Sequence, residues 1–279
     1  MDKLLEETKY LMKKYKIKAN KSLGQNFLID EKVIEDIVDG ANIDNEDLVI
    51  EIGPGLGSMT KLLLEKAKKV ICIELDKKMI KILNDRFIAY HNLEIINDDV
   101  LKLDLNKIIS KEKDNIKNVK IVANLPYYIT TPIIMKIVNS NLNFKKICMM
   151  VQKEVGNRFC ASPGSREYGS ISVFLSYFYD VKKEFLVSRK EFVPEPNVDS
   201  VVISFTKKDV VLNLKDRDLF FKVVRDSFQF KRKNLRNNLK KYDLNIIRSV
   251  LQDYDYDLTV RAEQLSVEIF VAIANALAG

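Results

Sequence analysis

Leu48-Val-Ile-Glu-Ile-Gly-Pro-Gly-Leu-Gly57 opens as a β-branched apolar run and ends in closely spaced glycines. The run Leu48–Ile52 predicts a short strand, Gly53–Gly57 a loop, and Ser58 or its neighbours the cap of a helix reaching about Lys66. Gly53 and Gly55 carry no Cβ, so backbone there can approach a ligand, and the helix that follows offers unpaired N–H groups. A second strand, Val70–Leu75, brings Glu74 to its end, 21 residues after Gly53. A carboxylate at that place accepts hydrogen bonds from a ribose diol. Two cofactor classes use this arrangement, a nicotinamide dinucleotide and S-adenosylmethionine. The spacing G-x-G-x-G leans toward the second, and Asp98 and Asp99 after a third strand add weight, since either could accept from an adenine amine.

Reading outward, strands alternate with helices. Met79–Phe87 predicts a helix, Leu93–Asn97 a third strand, Ile121–Ala123 a fourth, a helix with Pro132 in its first turn running to Val138, and Lys146–Val151 a fifth strand. That order implies a mostly parallel sheet covered on both faces. An apolar helix over 168–179 and strands at 181–187 and 198–205 are expected at the far edge of the sheet, with F-V-P-E-P-N between those strands as a stiff loop near the strand ends. Upstream, residues 1–21 read as a basic amphipathic helix and loop, and 33–38 as another helix. After about residue 208 the pattern is helical. The expected fold is therefore α/β, a Rossmann-like methyltransferase sheet with a small C-terminal helical domain, divided as a basic N-terminal arm (1–21), a cofactor-binding catalytic domain (22–208) and a helical RNA- or ribosome-contacting domain (209–279).

At the end of the fourth strand stands Asn124-Leu-Pro-Tyr-Tyr128. Asn124 can point an amide oxygen into the crevice. Pro126 biases Leu125 to extended backbone, so the Leu125 carbonyl can face outward. Two acceptors then converge beside the cofactor, and Tyr127 offers a ring to stack on a planar base. An adenine N6 is a poor nucleophile because its lone pair is spread into the ring. Acceptors that hold its hydrogens orient that lone pair and stabilise the positive charge that develops on nitrogen. A base in a duplex would have to be flipped out to reach such a pocket. Methylation of adenine in DNA or of a protein glutamine amide uses similar sockets and stays open at this point, as does a turn with tyrosines that merely fill space.

Composition sets limits. The chain has 279 residues, 47% hydrophobic and 30% charged, with 46 Lys plus Arg against 39 Asp plus Glu and a net charge of +7. That fits a folded protein with a full core and favours polyanionic partners without requiring them. Three cysteines and one histidine form no metal-ligand spacing, and each cysteine is expected to be a small buried hydrophobe. No signal-peptide core or membrane-length apolar run occurs, so a cytoplasmic protein with no membrane or metal partner is expected, as a monomer. Residues 221–241 hold eight basic residues and one acid, and Lys222, Arg225, Lys231, Arg232, Lys233 and Arg236 are candidates to grip RNA phosphates. Lys153, Arg158 and Arg166 are weaker candidates for the approach to the cleft.

The sequence resembles the ribosomal RNA adenine dimethylases, on K-S-L-G-Q-N-F-L (21–28), E-I-G-P-G-L-G-S-M-T (51–60), E-L-D (74–76), N-L-P-Y-Y-I-T-T-P-I (124–133), M-V-Q-K-E-V (150–155), V-D-S-V-V (198–202) and R-A-E-Q-L-S (261–266). The likeness is greatest to the small-subunit group. It implies N6,N6-dimethylation of two adjacent adenosines in the 3′-terminal hairpin of small-subunit rRNA, within an immature subunit and late in its assembly, with S-adenosylmethionine as donor. By the same resemblance Gln25, Asn26 and Leu28 close over the cofactor, and Gly53, Glu74, Asp99 and Asn124 contact it or the amine. Tyr127 stacks on the base, with Phe192 on the opposite face. The family usually reads G-D-A-L where this chain has D-D-V-L at 98–101, so Asp98 is expected to turn away. Large-subunit adenine methylases share the cofactor half and remain an alternative, as does a protein that acts mainly as an assembly factor.

Overall fold

The computed structural model describes residues 3–20, 24–112, 116–140, 142–209 and 212–279. Residues 21–23 of the K-S-L-G-Q-N-F-L stretch lie outside them. Contacts divide the chain into two units, Met1–Gly156 with Lys182–Lys207, and Asn157–Val181 with Lys208–Gly279.

The first unit begins with α1 (Lys3–Lys14), β1 (Phe27–Leu28) and α2 (Glu31–Gly40), then alternates β2 (Asp47–Ile52), α3 (Ser58–Lys66), β3 (Lys69–Glu74), α4 (Lys77–Arg86), β4 (Leu93–Asn97), α5 (Leu105–Ser110), β5 (Asn118–Asn124), α6 (Thr130–Asn139), β6 (Phe144–Gln152) and α7 (Lys153–Phe159), the last running across the boundary. After α8 (Ser170–Phe178), β7 (Tyr179–Val187) returns to the sheet, followed by β8 (Phe192–Val193) and β9 (Ser200–Lys207). The seven-stranded sheet runs β4-β3-β2-β5-β6-β9-β7. Strands β4, β3, β2, β5 and β6 are mutually parallel and β9 is antiparallel to β6, so the two late strands do form the far edge.

Chain order reverses at β2. Its successors β3 and β4 lie on one side and β5 on the other, with Ile52 level with Ala123. Such a switch point opens a crevice beyond the carboxyl ends of the two strands, where ligands of open α/β sheets bind. The strands are buried on both faces: all of β2 is buried, and Val70–Ile73, Ile121–Ala123 and Ile147–Val151 are buried too. That explains continuous apolar runs rather than alternation.

Two charges interrupt this core and satisfy each other. Lys120 (4% exposed) donates to Asp47 Oδ2 at 2.5 Å and to the Asn42 carbonyl. Asp47 also accepts from the Asp44 N–H and from Asn118 Nδ2. Packing is equally close at Gly156 in α7, where a Cβ would lie 2.2 Å from Val201 Cγ1.

α1 is amphipathic, as its spacing predicts, and its buried Leu4 and Leu11 join two apolar clusters of the first unit, so contacts group it with the sheet. Contacts also group residues 157–181 with the helical unit, although the sequence boundary falls at 208. The cause is α8, whose Phe174 packs against Phe220 and Phe221 of α9 (Arg217–Ser227). The helical unit continues through α10 (Leu235–Asn238), α11 (Leu244–Gln252) and α12 (Val267–Leu277). Cys72 and Cys148 are buried as expected of small hydrophobes, whereas Cys160 is only half-buried.

Candidate active site

A cleft at the switch point is lined by Gln25, Asn26, Leu28, Gly53, Gly55, Glu74, Asp99, Asn124, Leu125, Pro126, Tyr127 and Phe192. With Asp98, which also borders it, these are the residues that the sequence offers for the cofactor or the target base. Three strand ends of the central sheet place the middle of this set, and the stretch before and through β1, the turn after β4, and β8 supply the rest. The glycine loop leaves β2, Glu74 closes β3, and Asn124 closes β5.

The loop is shaped by positive φ at Gly53 (+70°), Gly55 (+56°) and Gly57 (+84°). A Cβ on Gly55 would sit 3.5 Å from the Phe27 ring, and one on Gly53 would sit 3.6 Å from the Asn124 carbonyl oxygen, on the side facing the cleft residues. Gly57, the neighbour of Ser58, is the N-cap of α3, without a side-chain cap bond. A left-handed backbone is required there, and its open side is filled by Phe87 and Leu83, which a Cβ would meet at 2.6 and 2.9 Å.

Glu74 is held rather than free. Its Oε2 accepts from the Gly55 N–H at 3.2 Å and its Oε1 from the Asp76 N–H at 2.9 Å. Burial pushes its pKa up, and the backbone N–H groups pull against that shift. Gln25 is held by the same corner: its Nε2 donates to Asp76 Oδ2 at 2.9 Å and its Oε1 accepts from the Asn20 N–H at 2.9 Å. Asn26 Nδ2 donates to the Gly24 carbonyl at 3.2 Å. Leu28 pairs with Phe192 in the antiparallel β1–β8 ladder, which forms where the sequence predicts only a loop.

At the other corner, the Asn124 carboxamide has no hydrogen-bond partner among the described residues, and neither has the Leu125 carbonyl; the Leu125 N–H donates to the Met150 carbonyl at 3.4 Å. Pro126 adopts extended backbone (φ −56°, ψ 131°) before the short 3-10 turn Tyr127–Ile129. Tyr127 is half-buried with its hydroxyl 2.8 Å from Ser200 Oγ, which fixes the ring. Burial raises its pKa. Phe192 lines the cleft from inside the apolar core, only 3% exposed.

Asp98 borders the cleft beside Asp99 and is exposed, and its Oδ1 folds back to accept from the Asp99 N–H at 2.7 Å. Asp99 in turn accepts from the Leu101 N–H at 2.9 Å. The carboxylates are thus fixed by backbone donors of their own turn, which lets a second acid replace a small residue. Lys153 is exposed at the start of α7 and is not part of the lining, and Arg158 and Arg166 belong to the helical unit.

The sequence reading passed over Phe27, Leu75 and Tyr128, all of which line the cleft. Leu75 is 50% exposed and Tyr128 58%. Position was the available signal: Leu75 directly follows the end of β3, Phe27 stands between Asn26 and Leu28, and Tyr128 follows Tyr127. It also passed over Glu51, fully buried in β2 two residues before the glycine loop. Its Oε2 accepts from Thr60 Oγ1 at 2.6 Å and from Cys72 Sγ at 3.3 Å, while Oε1 has no partner among the described residues. Burial pushes its pKa from 4.5 up to about 7.

The candidate phosphate-gripping residues Lys222, Arg225, Lys231, Arg232, Lys233 and Arg236 are all exposed in the helical unit. Lys222 and Arg225 share α9; Lys231, Arg232 and Lys233 lie in the turn after it rather than on a helix.

A mostly parallel sheet with a glycine loop after its first central strand, a ribose-height carboxylate after the next and acceptors at the switch point defines an S-adenosylmethionine-dependent methyltransferase. The cradle fits that cofactor: the glycine positions that a Cβ would fill and the buried acceptor of Glu74 suit a nucleoside without phosphates. The chain belongs to the ribosomal RNA adenine dimethylase family, whose model matches residues 16–279. It is 44% identical over 278 residues to "Ribosomal RNA small subunit methyltransferase A" of Alkaliphilus oremlandii, covering 98% of this chain and 96% of that one. The same-named protein of Bacillus pumilus is 45% identical over 97% and 95% of the two chains. Among solved structures, a dimethyladenosine transferase from Plasmodium falciparum superposes with a TM-score of 0.75 at 28% identity, covering 88% of this chain and 95% of that one. The 23S rRNA methyltransferase ErmE gives 0.72 at 22% identity, over 91% and 100%, which shows a shared fold. The protein is therefore an S-adenosylmethionine-dependent rRNA adenine N6-methyltransferase.

Proposed function

We propose that this enzyme dimethylates N6 of two adjacent adenosines in the 3′-terminal hairpin of small-subunit rRNA, on an immature subunit in the cytoplasm, acting as a monomer. The observation that carries the reading is the placement of Asn124, Leu125, Pro126 and Tyr127 in the same cleft as Gly53, Gly55 and Glu74. The near full-length identity to small-subunit methyltransferases supports the choice of subunit.

S-adenosylmethionine, when bound, supplies a methyl group on a positively charged sulfur. Gly53 and Gly55 would admit it close to backbone, Glu74 would accept from its ribose, Asp99 from its adenine amine, and Gln25, Asn26 and Leu28 would cover it. The chain's remaining work concerns the target base. The oxygens of the Asn124 carboxamide and the Leu125 carbonyl would take the two hydrogens of the adenine amine and stabilise positive charge growing on its nitrogen. Tyr127, locked by Ser200, would hold the base plane, with Phe192 bounding the other side from the core.

Mass spectrometry of nucleosides from undermethylated small subunits, naked rRNA, large-subunit rRNA and DNA tests this. Dimethyladenosine is expected only from small-subunit substrates; product in large-subunit rRNA or DNA alone refutes it. Asn124→Ala should lower the rate about a hundredfold to a thousandfold. If it also leaves subunit binding intact, the loss is chemical rather than one of recognition.

A further inference from the structure

Between α9 and α10 the chain leaves a large ring in water: Phe230 is 57% exposed. Single exposed apolar residues are ordinary, but this one is rigidly presented. Asn238, 6% exposed, holds the turn from beneath. Its Oδ1 accepts from the Phe230 N–H at 3.2 Å, and its Nδ2 donates to the carbonyls of Ser227 (2.8 Å), Phe230 (3.3 Å) and Lys233 (3.3 Å). The Lys233 N–H closes the turn on the Phe230 carbonyl at 2.8 Å, and Lys231 Nζ donates to the Arg166 carbonyl at 2.8 Å. Two of the three cations that follow Phe230 are left over. The side chains of Arg232 and Lys233 are exposed and have no hydrogen bond or ion pair among the described residues.

A flat apolar ring on a fixed turn, beside uncommitted cations, matches the parts of an unpaired nucleotide: a π-face and a phosphate. A continuous duplex offers the phosphates but no base face. An apolar protein patch would suit the ring but not the charges. We propose that Phe230 stacks on an unpaired base of the rRNA substrate while Arg232 and Lys233 hold flanking phosphates. This rests on the RNA reading given above and adds a base contact to it. The ordering cost is small because the Asn238 clamp fixes the turn before RNA arrives.

The test is binding of the full-length protein to undermethylated small subunits over a range of salt. Phe230→Ala should weaken binding about five- to a hundredfold with the salt dependence unchanged. Phe230→Trp should bind like the native protein and Phe230→Leu should stay weak. The double variant Arg232→Ala/Lys233→Ala should flatten the slope of log affinity against log salt by about 1.4. S-adenosylmethionine affinity and melting temperature should hold in all four, which separates lost contact from lost fold. If Phe230→Ala or Phe230→Leu binds within twofold of native while the double variant weakens, base stacking is refuted and the phosphate contacts stand. If the double variant also matches native at every salt concentration, the whole turn lies off the RNA and the proposal falls with its premise.

Discussion

Glu51 makes a pH-dependent prediction that can be worked through. The carboxyl is fully buried, one oxygen bonded to Thr60 and Cys72 and the other without a partner among the described residues. Burial raises its folded pKa from 4.5 to about 7. The folded state therefore keeps a proton that the unfolded chain has already released. Stability from this group is full below about pH 4.5 and is lost as pH rises to about 7, beyond which the deficit is constant. At 1.36 kcal/mol per pH unit, the full loss is about 3 kcal/mol. Glu51→Gln stays neutral at every pH and keeps an oxygen for Thr60. Urea unfolding followed by circular dichroism from pH 5 to 8.5 should show the variant gaining on the native protein by roughly 2–3 kcal/mol across that range, with the gain complete by about pH 8. A pH-independent offset added to that rise is compatible with the reasoning, because the rise alone carries the proton linkage. Parallel profiles, or a variant that falls behind as pH rises, would refute it.

Other perturbations follow from the packing. Tyr127→Phe removes the bond to Ser200 and should cost about 1 kcal/mol of stability while methylation persists, whereas Tyr127→Ala should abolish most activity; chemical denaturation and a methyl-transfer assay read the two. Gly156→Ala should destabilise by about 1–3 kcal/mol through the clash with Val201, and the same change in a Val201→Ala background should be neutral or stabilising, as a double-mutant cycle would measure. Lys120→Met leaves Asp47 charged in the core and should cost about 3–5 kcal/mol, visible as a lowered denaturation midpoint.

The sheet was readable because its central strands are buried on both faces and so appear as unbroken β-branched runs. The cleft was readable because its parts sit at strand ends, where Gly, Glu and Asn break those runs. What escaped did so for physical reasons. The predicted fourth strand was cut to Ile121–Ala123 because Lys120 looks like a boundary, yet the bond to Asp47 lets it lie buried mid-strand. α5 is a six-residue helix whose start is marked only by the Asp104 cap. α7 follows β6 with no intervening turn residue to announce it. Glu51 hides because one acid in an apolar strand gives no sign of whether it faces ligand or core.

The pairing of Phe27 with Val193 and Leu28 with Phe192 has a consequence for biosynthesis. One wall of the cleft joins segments made at opposite ends of translation of the first unit. A ribosome that has extruded the glycine loop and both acceptor-bearing strands has still not completed that wall. Donor binding should thus switch on late in elongation, once the proline-rich stretch clears the exit tunnel. Chains stalled before it would lack β9 as well, leaving β7 without its neighbour in the sheet, and should be unable to retain the nucleoside.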